Sequence, residues 1–152
     1  MTDDAGLDPL TPIDNATQWV ARQISAYVAS DGERGSTLRG APLLLLTTRG
    51  RKSGRWRRTV LIFGQADGNY LVVASMGGSP RHPSWNLNLT AHPEVYVQVY
   101  DRKFKARART ASAEEKPDLW RRMVEIWPDY ANYQVKTERE IPVVVLEPSY
   151  VP

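Results

Sequence analysis

Residues 43–63 read Leu43-Leu44-Leu45-Leu46-Thr47-Thr48-Arg49-Gly50-Arg51-Lys52-Ser53-Gly54-Arg55-Trp56-Arg57-Arg58-Thr59-Val60-Leu61-Ile62-Phe63. Two apolar runs flank a short segment with two glycines, which is the pattern of a β-hairpin. Six of the ten residues from Arg49 to Arg58 are basic and none is acidic. A packed hairpin with so much like charge at its tip repels itself, so an anion is expected to meet it. The expected clamp uses backbone N–H groups at Gly50 and Gly54, with Arg51, Lys52 and Arg57 adding charge-assisted hydrogen bonds to phosphate or carboxylate.

The overall balance conceals this concentration. The net charge is +3, yet residues 34–58 hold eight basic side chains and no acid, and the other residues sum to −5. Trp56 within the basic run also suits a nucleic-acid surface. The acidic remainder favours a compact anion over a long polymer.

A length of 152 residues suits one domain with a real core. There is no cysteine, and two histidines, His82 and His92, do not make a typical zinc site, so no metal is expected. The start, Met1-Thr2-Asp3-Asp4-Ala5-Gly6, lacks the order of a signal peptide. The apolar runs are too short to span a bilayer. The expectation is a cytoplasmic protein.

Outward from the hairpin, residues 1–12 read as a flexible lead-in to a single domain over 13–152. Thr11-Pro12-Ile13-Asp14 predicts a helix start, with Ile13, Val20, Ile24, Tyr27 and Val28 at helical spacing and Asp31-Gly32 as the stop. Residues 33–42 read as a loop. Strands are predicted over 42–48, 57–63, 70–75, 95–100, 104–111 and 141–146, with a tight turn at Ala66-Asp67-Gly68-Asn69. A short helix is expected over 84–89. Ser112-Ala113-Glu114-Glu115 is a capping box opening a helix that Trp127-Pro128-Asp129 breaks. About six strands joined mostly as meanders do not alternate as βαβ units. They predict an α+β fold, a small and mostly antiparallel barrel with outer helices.

Two further stretches carry polar groups in unusual settings. Ala74-Ser75-Met76-Gly77-Gly78 ends a strand in small residues, so a flat ligand can lie against the backbone, with Ser75 and Asn88 placed to bond its polar edge. In Trp127-Pro128-Asp129-Tyr130-Ala131-Asn132-Tyr133 the two tyrosines share a helical face. Taken alone they read as amphipathic packing at a helix end; the alternative is a pocket wall with a phenol able to donate a proton. No nucleophile elbow, P-loop or dinucleotide fingerprint is present. An enzyme without its own reactive groups borrows them from a cofactor.

Leu-Leu-Leu-Leu-Thr-Thr-Arg-Gly-Arg-Lys-Ser-Gly (43–54), Val-Ala-Ser-Met-Gly-Gly (73–78), Pro-Ser-Trp-Asn-Leu-Asn-Leu (83–89), Trp-Pro-Asp-Tyr-Ala-Asn-Tyr (127–133) and Ile-Pro-Val-Val-Val-Leu-Glu-Pro (141–148) together resemble the deazaflavin-dependent nitroreductase and quinone reductase family of actinobacteria. The resemblance implies a split β-barrel and the coenzyme F420, a deazaflavin with a lactyl phosphate and polyglutamate tail. By the same resemblance, Arg51, Lys52 and Arg57 are expected at the phosphate and tail, and Ala74, Ser75 and Met76 beside the ring. Trp85 and Asn88 are expected on the helix that closes over it. Trp127, Tyr130 and Tyr133 are expected at the substrate, with Tyr130 or Ser75 neutralising the reduced acceptor. The family pattern has lysine at Met76, an apolar residue at Ser84, and tyrosine at Ile62 and Trp127, so nitroimidazole activation is not implied. Expected acceptors are quinones, nitroaromatics and conjugated enones or lactones, including coumarin-type compounds. The runner-up cofactor is flavin mononucleotide on the same barrel, and a different class is a non-catalytic binder of RNA or anionic membrane. The resemblance allows a monomer or a homodimer and leaves peripheral membrane contact open.

Overall fold

The computed structural model describes residues 5–149, so residues 1–4 of the expected lead-in and 150–152 at the other end lie outside the described residues. In chain order the elements are β1 (Ile13–Asp14), α1 (Gln18–Ser30), β2 (Thr37–Leu38), β3 (Ala41–Arg49), β4 (Trp56–Ile62), β5 (Gly64–Ala66) and β6 (Asn69–Val73). A single 3-10 turn (Met76–Gly78) follows, then α2 (Ser84–Ala91), β7 (Glu94–Val99), β8 (Arg102–Thr110), α3 (Lys116–Ile126), α4 (Asp129–Val135) and β9 (Val143–Ser149).

The basic hairpin is β3 and β4, paired antiparallel from Leu43 opposite Ile62 to Arg49 opposite Trp56. The sheet runs β1-β4-β3-β7-β8-β9-β6-β5, with β2 folded onto β3. β4 and β5 are separated only by Phe63, so one bent ribbon pairs with β3 at one end of the sheet and with β6 at the other. That continuity curls the sheet into a barrel. Phe63 is buried at the bend and donates its N–H to the Pro42 carbonyl.

Alternation along the strands decides what covers each face. Leu44 and Leu46 of β3 point into the barrel with Val72, Val97, Val144 and Leu146. Leu43 and Leu45 point out and lie under Val20, Ile24 and Tyr27 of α1. On the far side Leu71, Val73, Val143 and Val145 lie under Leu119 and Met123 of α3. Strands covered on both faces read as unbroken apolar runs. Full burial of each such side chain is worth about 1.5–3 kcal/mol. Tyr27 ties α1 to the sheet: its hydroxyl donates to the Leu43 carbonyl at 3.1 Å and accepts from the Tyr100 N–H at 2.7 Å.

Three local expectations are corrected. The first helix begins at Gln18, because Ile13 and Asp14 instead form a short parallel edge strand beside Arg57 and Arg58 of β4. Asn15 then accepts from the Thr17 N–H at 2.9 Å and turns the chain into the helix. Residues 33–42 contain β2, which folds back on β3 with Leu38 opposite Ala41. The third predicted strand stops at Val73, because Ser75 is already helical and Met76, Gly77 and Gly78 follow with positive φ. The capping box stands as predicted: the Ser112 N–H donates to Glu115 and the Glu115 N–H donates to Ser112.

Candidate active site

The turn between β3 and β4 uses its own backbone donors. The Gly50 N–H donates to the Arg55 carbonyl at 2.8 Å and the Gly54 N–H to the Gly50 carbonyl at 2.9 Å. Neither glycine N–H is free for an anion, which corrects the expected backbone clamp. Four of the six hairpin cations are also engaged: Arg49 donates to the Gly54 carbonyl, Arg51 to Asn88, Arg55 to the Ala5 carbonyl, and Arg58 pairs with Asp14 at 2.6 Å. Lys52 and Arg57 are exposed and have no hydrogen-bond or carboxylate partner among the described residues. Trp56 packs edge-on against Tyr96, with ring centroids 5.3 Å apart, and so serves the sheet.

Asn88 has a different task from the expected one. From α2 its Oδ1 accepts from the Arg51 backbone N–H at 3.2 Å and from the Arg51 guanidinium at 3.1 Å. Its amide donates to Thr48 Oγ1 at 3.3 Å. Asn88 therefore ties the hairpin to α2 and aims Arg51. This leaves it little capacity for a ligand.

The turn after β6 is held by a residue that sequence reasoning missed. Arg139 donates to the carbonyls of Ser75 at 2.8 Å, Ser79 at 2.9 Å and Ala74 at 3.1 Å, and lies 3.2 Å from His82 Nδ1. Ala74 is fully buried and does not reach the cavity, whereas Ser75 and the exposed Met76 line it. Met76 has φ 47, a left-handed geometry that costs a non-glycine residue about 1–2 kcal/mol. Gly78 is required by close approach: a Cβ there would lie 2.7 Å from the Tyr133 carbonyl oxygen. The turn thus sits directly against α4.

Trp127, Tyr130 and Tyr133 form one wall. The Tyr130 and Tyr133 rings are 6.1 Å apart, edge to face, and Trp127 Nε1–H donates to the Tyr133 hydroxyl at 3.4 Å. Burial, reinforced by the neighbouring Tyr133, pushes the Tyr130 phenol well above its ordinary value, so it stays protonated and can donate. Neither its hydroxyl nor that of Ser75 has a hydrogen-bond partner among the described residues.

One cavity of about 980 Å³ joins these parts. Arg51, Lys52 and Arg57 line it, as do Ser75 and Met76, Trp85 and Asn88, and the aromatic wall. Of the sequence-predicted site residues, Ala74 alone stays behind the wall. Arg39 also lines the cavity, its guanidinium carbon 4.5 Å from the Trp127 ring centroid. It went unremarked in the sequence because Arg39-Gly40 looks like any loop dipeptide. Among the described residues no cluster of metal-binding side chains is present, and no helix is long and apolar enough to cross a membrane.

A curled antiparallel barrel with a cationic hairpin, a side-chain-poor turn and an aromatic wall is the architecture of a split-barrel reductase that relies on a borrowed redox group. Residues 19–148 match the family F420H(2)-dependent quinone reductase, and the chain belongs to it. It is 37% identical over 144 residues to an F420H(2)-dependent quinone reductase of Mycobacterium tuberculosis, covering 86% of this chain and 96% of that one. A solved structure of an F420-H2 dependent reductase is 45% identical, with TM-score 0.65, over 70% of this chain and 94% of the other. A second, a domain-swapped dimer, is 39% identical with TM-score 0.67, over 88% and 100% of the two chains. HutZ from Vibrio cholerae, at 18% identity and TM-score 0.56, shares the fold.

The protein is thus an oxidoreductase with coenzyme F420 as its cofactor, which decides against flavin mononucleotide. The residues present fit that group. Lys52 and Arg57 offer unpartnered cations at the hairpin, and open space lies where a Cβ on Gly77 would stand.

Proposed function

We propose that the protein passes a hydride from F420H2 to a flat, electron-poor acceptor: a quinone first, and by the same chemistry a nitroaromatic or a conjugated enone or lactone of coumarin type. One observation carries this reading: a single cavity runs from the hairpin cations, past Ser75 and Gly77, to the aromatic wall. When bound, the deazaflavin supplies the hydride at its central ring. Arg51, Lys52 and Arg57 hold the phosphate and carboxylates of the tail. Ser75 and Met76 carry the ring, with the Ala74 strand end behind them, while Trp85 covers it and Asn88 acts through Arg51. Trp127 and Tyr133 keep the acceptor flat and exclude water. Tyr130 or Ser75 delivers the proton that neutralises the reduced acceptor.

Residues 13–152 act as one catalytic domain, with residues 1–12 as its lead-in. The protein works in the cytoplasm as a monomer or homodimer and meets lipid quinones by peripheral contact at the inner face of the membrane. The test is single-turnover stopped flow of the F420H2-loaded protein against each acceptor class. Re-oxidation of the cofactor by a quinone supports the proposal; no reaction with any class overturns it.

A further inference from the structure

β2 and β3 are joined by Arg39 and Gly40, both left-handed, with φ 45 and 82. This is the geometry of a tight two-residue hairpin turn, in which an arginine is a costly choice at the first position. The turn sets the Arg39 guanidinium over Trp127, whose own orientation is pinned by its hydrogen bond to Tyr133. Arg39 has no carboxylate or hydrogen-bond partner among the described residues, so its five N–H donors stay available where it lines the cavity. Asp14 is the one carboxylate among the cavity-lining residues, and Arg58 already holds it at 2.6 Å.

Arg39 also stands apart from the hairpin cations. It precedes the first residue of β3, whereas Arg51 and Lys52 follow the last, and nine strand residues at about 3.3 Å each separate the two ends by roughly 25–30 Å. A ligand anion gripped at the hairpin is out of reach of Arg39. The second cation faces whatever lies on the aromatic wall.

We propose that Arg39 is a specificity-determining residue that favours acceptors carrying a negative charge on the flat ring, such as a carboxylate, sulfonate or ionised hydroxyl. The proposal rests on the reading of Trp127, Tyr130 and Tyr133 as the acceptor wall. An anionic substituent reaches the guanidinium while the ring lies on Trp127, so one arginine makes both a stacking and a charge-assisted contact.

The test uses 1,4-naphthoquinone-2-sulfonate and neutral 1,4-naphthoquinone, titrated into protein saturated with oxidised F420 so that no turnover occurs. Wild type should bind the sulfonate about tenfold more tightly than the neutral quinone. Arg39→Gln should remove that preference while leaving neutral-quinone affinity within about twofold, and Arg39→Lys should restore part of it. An unchanged preference in Arg39→Gln, or no preference in wild type, would each overturn the assignment. Turnover with F420H2 is read separately. Reduction of the neutral quinone without Arg39-dependent discrimination sinks this inference alone, whereas Arg39-dependent binding without reduction of either quinone sinks the hydride-transfer reading alone.

Discussion

Replacing Arg139 with methionine removes the brace from the turn that carries Ser75 and Met76. Its guanidinium bonds three carbonyls, at Ala74, Ser75 and Ser79. Ser75 O keeps a second donor, the Gly78 N–H at 3.0 Å, so it is not orphaned. Ala74 is fully buried, and leaving its carbonyl without this donor costs about 1–3 kcal/mol; the half-buried Ser79 carbonyl adds roughly 1 kcal/mol. Part of that is offset, because burial of the guanidinium is itself unfavourable, as the lowered Arg139 pKa reflects. The expected net loss is about 1.5–3 kcal/mol, or roughly 3–12 °C in melting temperature for a domain of this size. Urea unfolding followed by tryptophan fluorescence gives the number. F420 titration should show weaker binding in the same variant, because the turn supports the ring site. Lysine at 139 should recover less than half of the loss, since one ammonium cannot span both the Ser79 carbonyl, reached by Nε, and the Ala74 and Ser75 carbonyls, reached by a single Nη. A methionine variant within about 0.5 kcal/mol of wild type, with unchanged F420 affinity, would refute the reasoning.

Lys52→Ala with Arg57→Ala should weaken F420 binding by about 10–100-fold at low salt, less at high salt, with little change in fold stability; fluorescence titration at two ionic strengths checks this. Tyr130→Phe should lower the single-turnover rate by about 10–100-fold, and wild-type activity should show no Tyr130 titration between pH 6 and about 9, because burial keeps the phenol protonated. Gly78→Ala should cost about 2 kcal/mol or more, since its Cβ would meet the Tyr133 carbonyl at 2.7 Å with φ at 84; thermal melts read the effect. Glu115 is held down to about 2 by the Arg109 guanidinium, then by the Ser112 N–H. Its contribution is complete above the ordinary carboxylate range near pH ~4.5 and is lost as pH falls through about 2. Glu115→Gln should therefore flatten the melting-temperature profile across that acid window and leave the neutral plateau lower.

The barrel was legible where one local pattern suffices. Leu43–Leu46 and Val143–Leu146 read as strands because helices cover their outer faces, and Asp67-Gly68 fits a hairpin turn through its positive φ values. The start of α1 was misread because Pro12 and Asp14 suit a helix N-terminus and an edge strand alike. Arg58, far along the chain, decides the matter by holding Asp14. The site divides in the same way. Lys52, Arg57 and the tyrosines announce themselves by local density and spacing. Asn88 also stands out in the sequence, but its task does not, because its partners Arg51 and Thr48 lie 37 and 40 residues away. Arg139 stays hidden, because its partners lie 57 to 65 residues away and are mostly backbone carbonyls, which every residue possesses. A side chain that recognises mostly main chain leaves little complementary residue type to find. The supports of this site are thus harder to read than its ligand-facing groups for a physical reason: specificity toward a ligand needs particular side chains, whereas bracing a turn needs only donors at the right places.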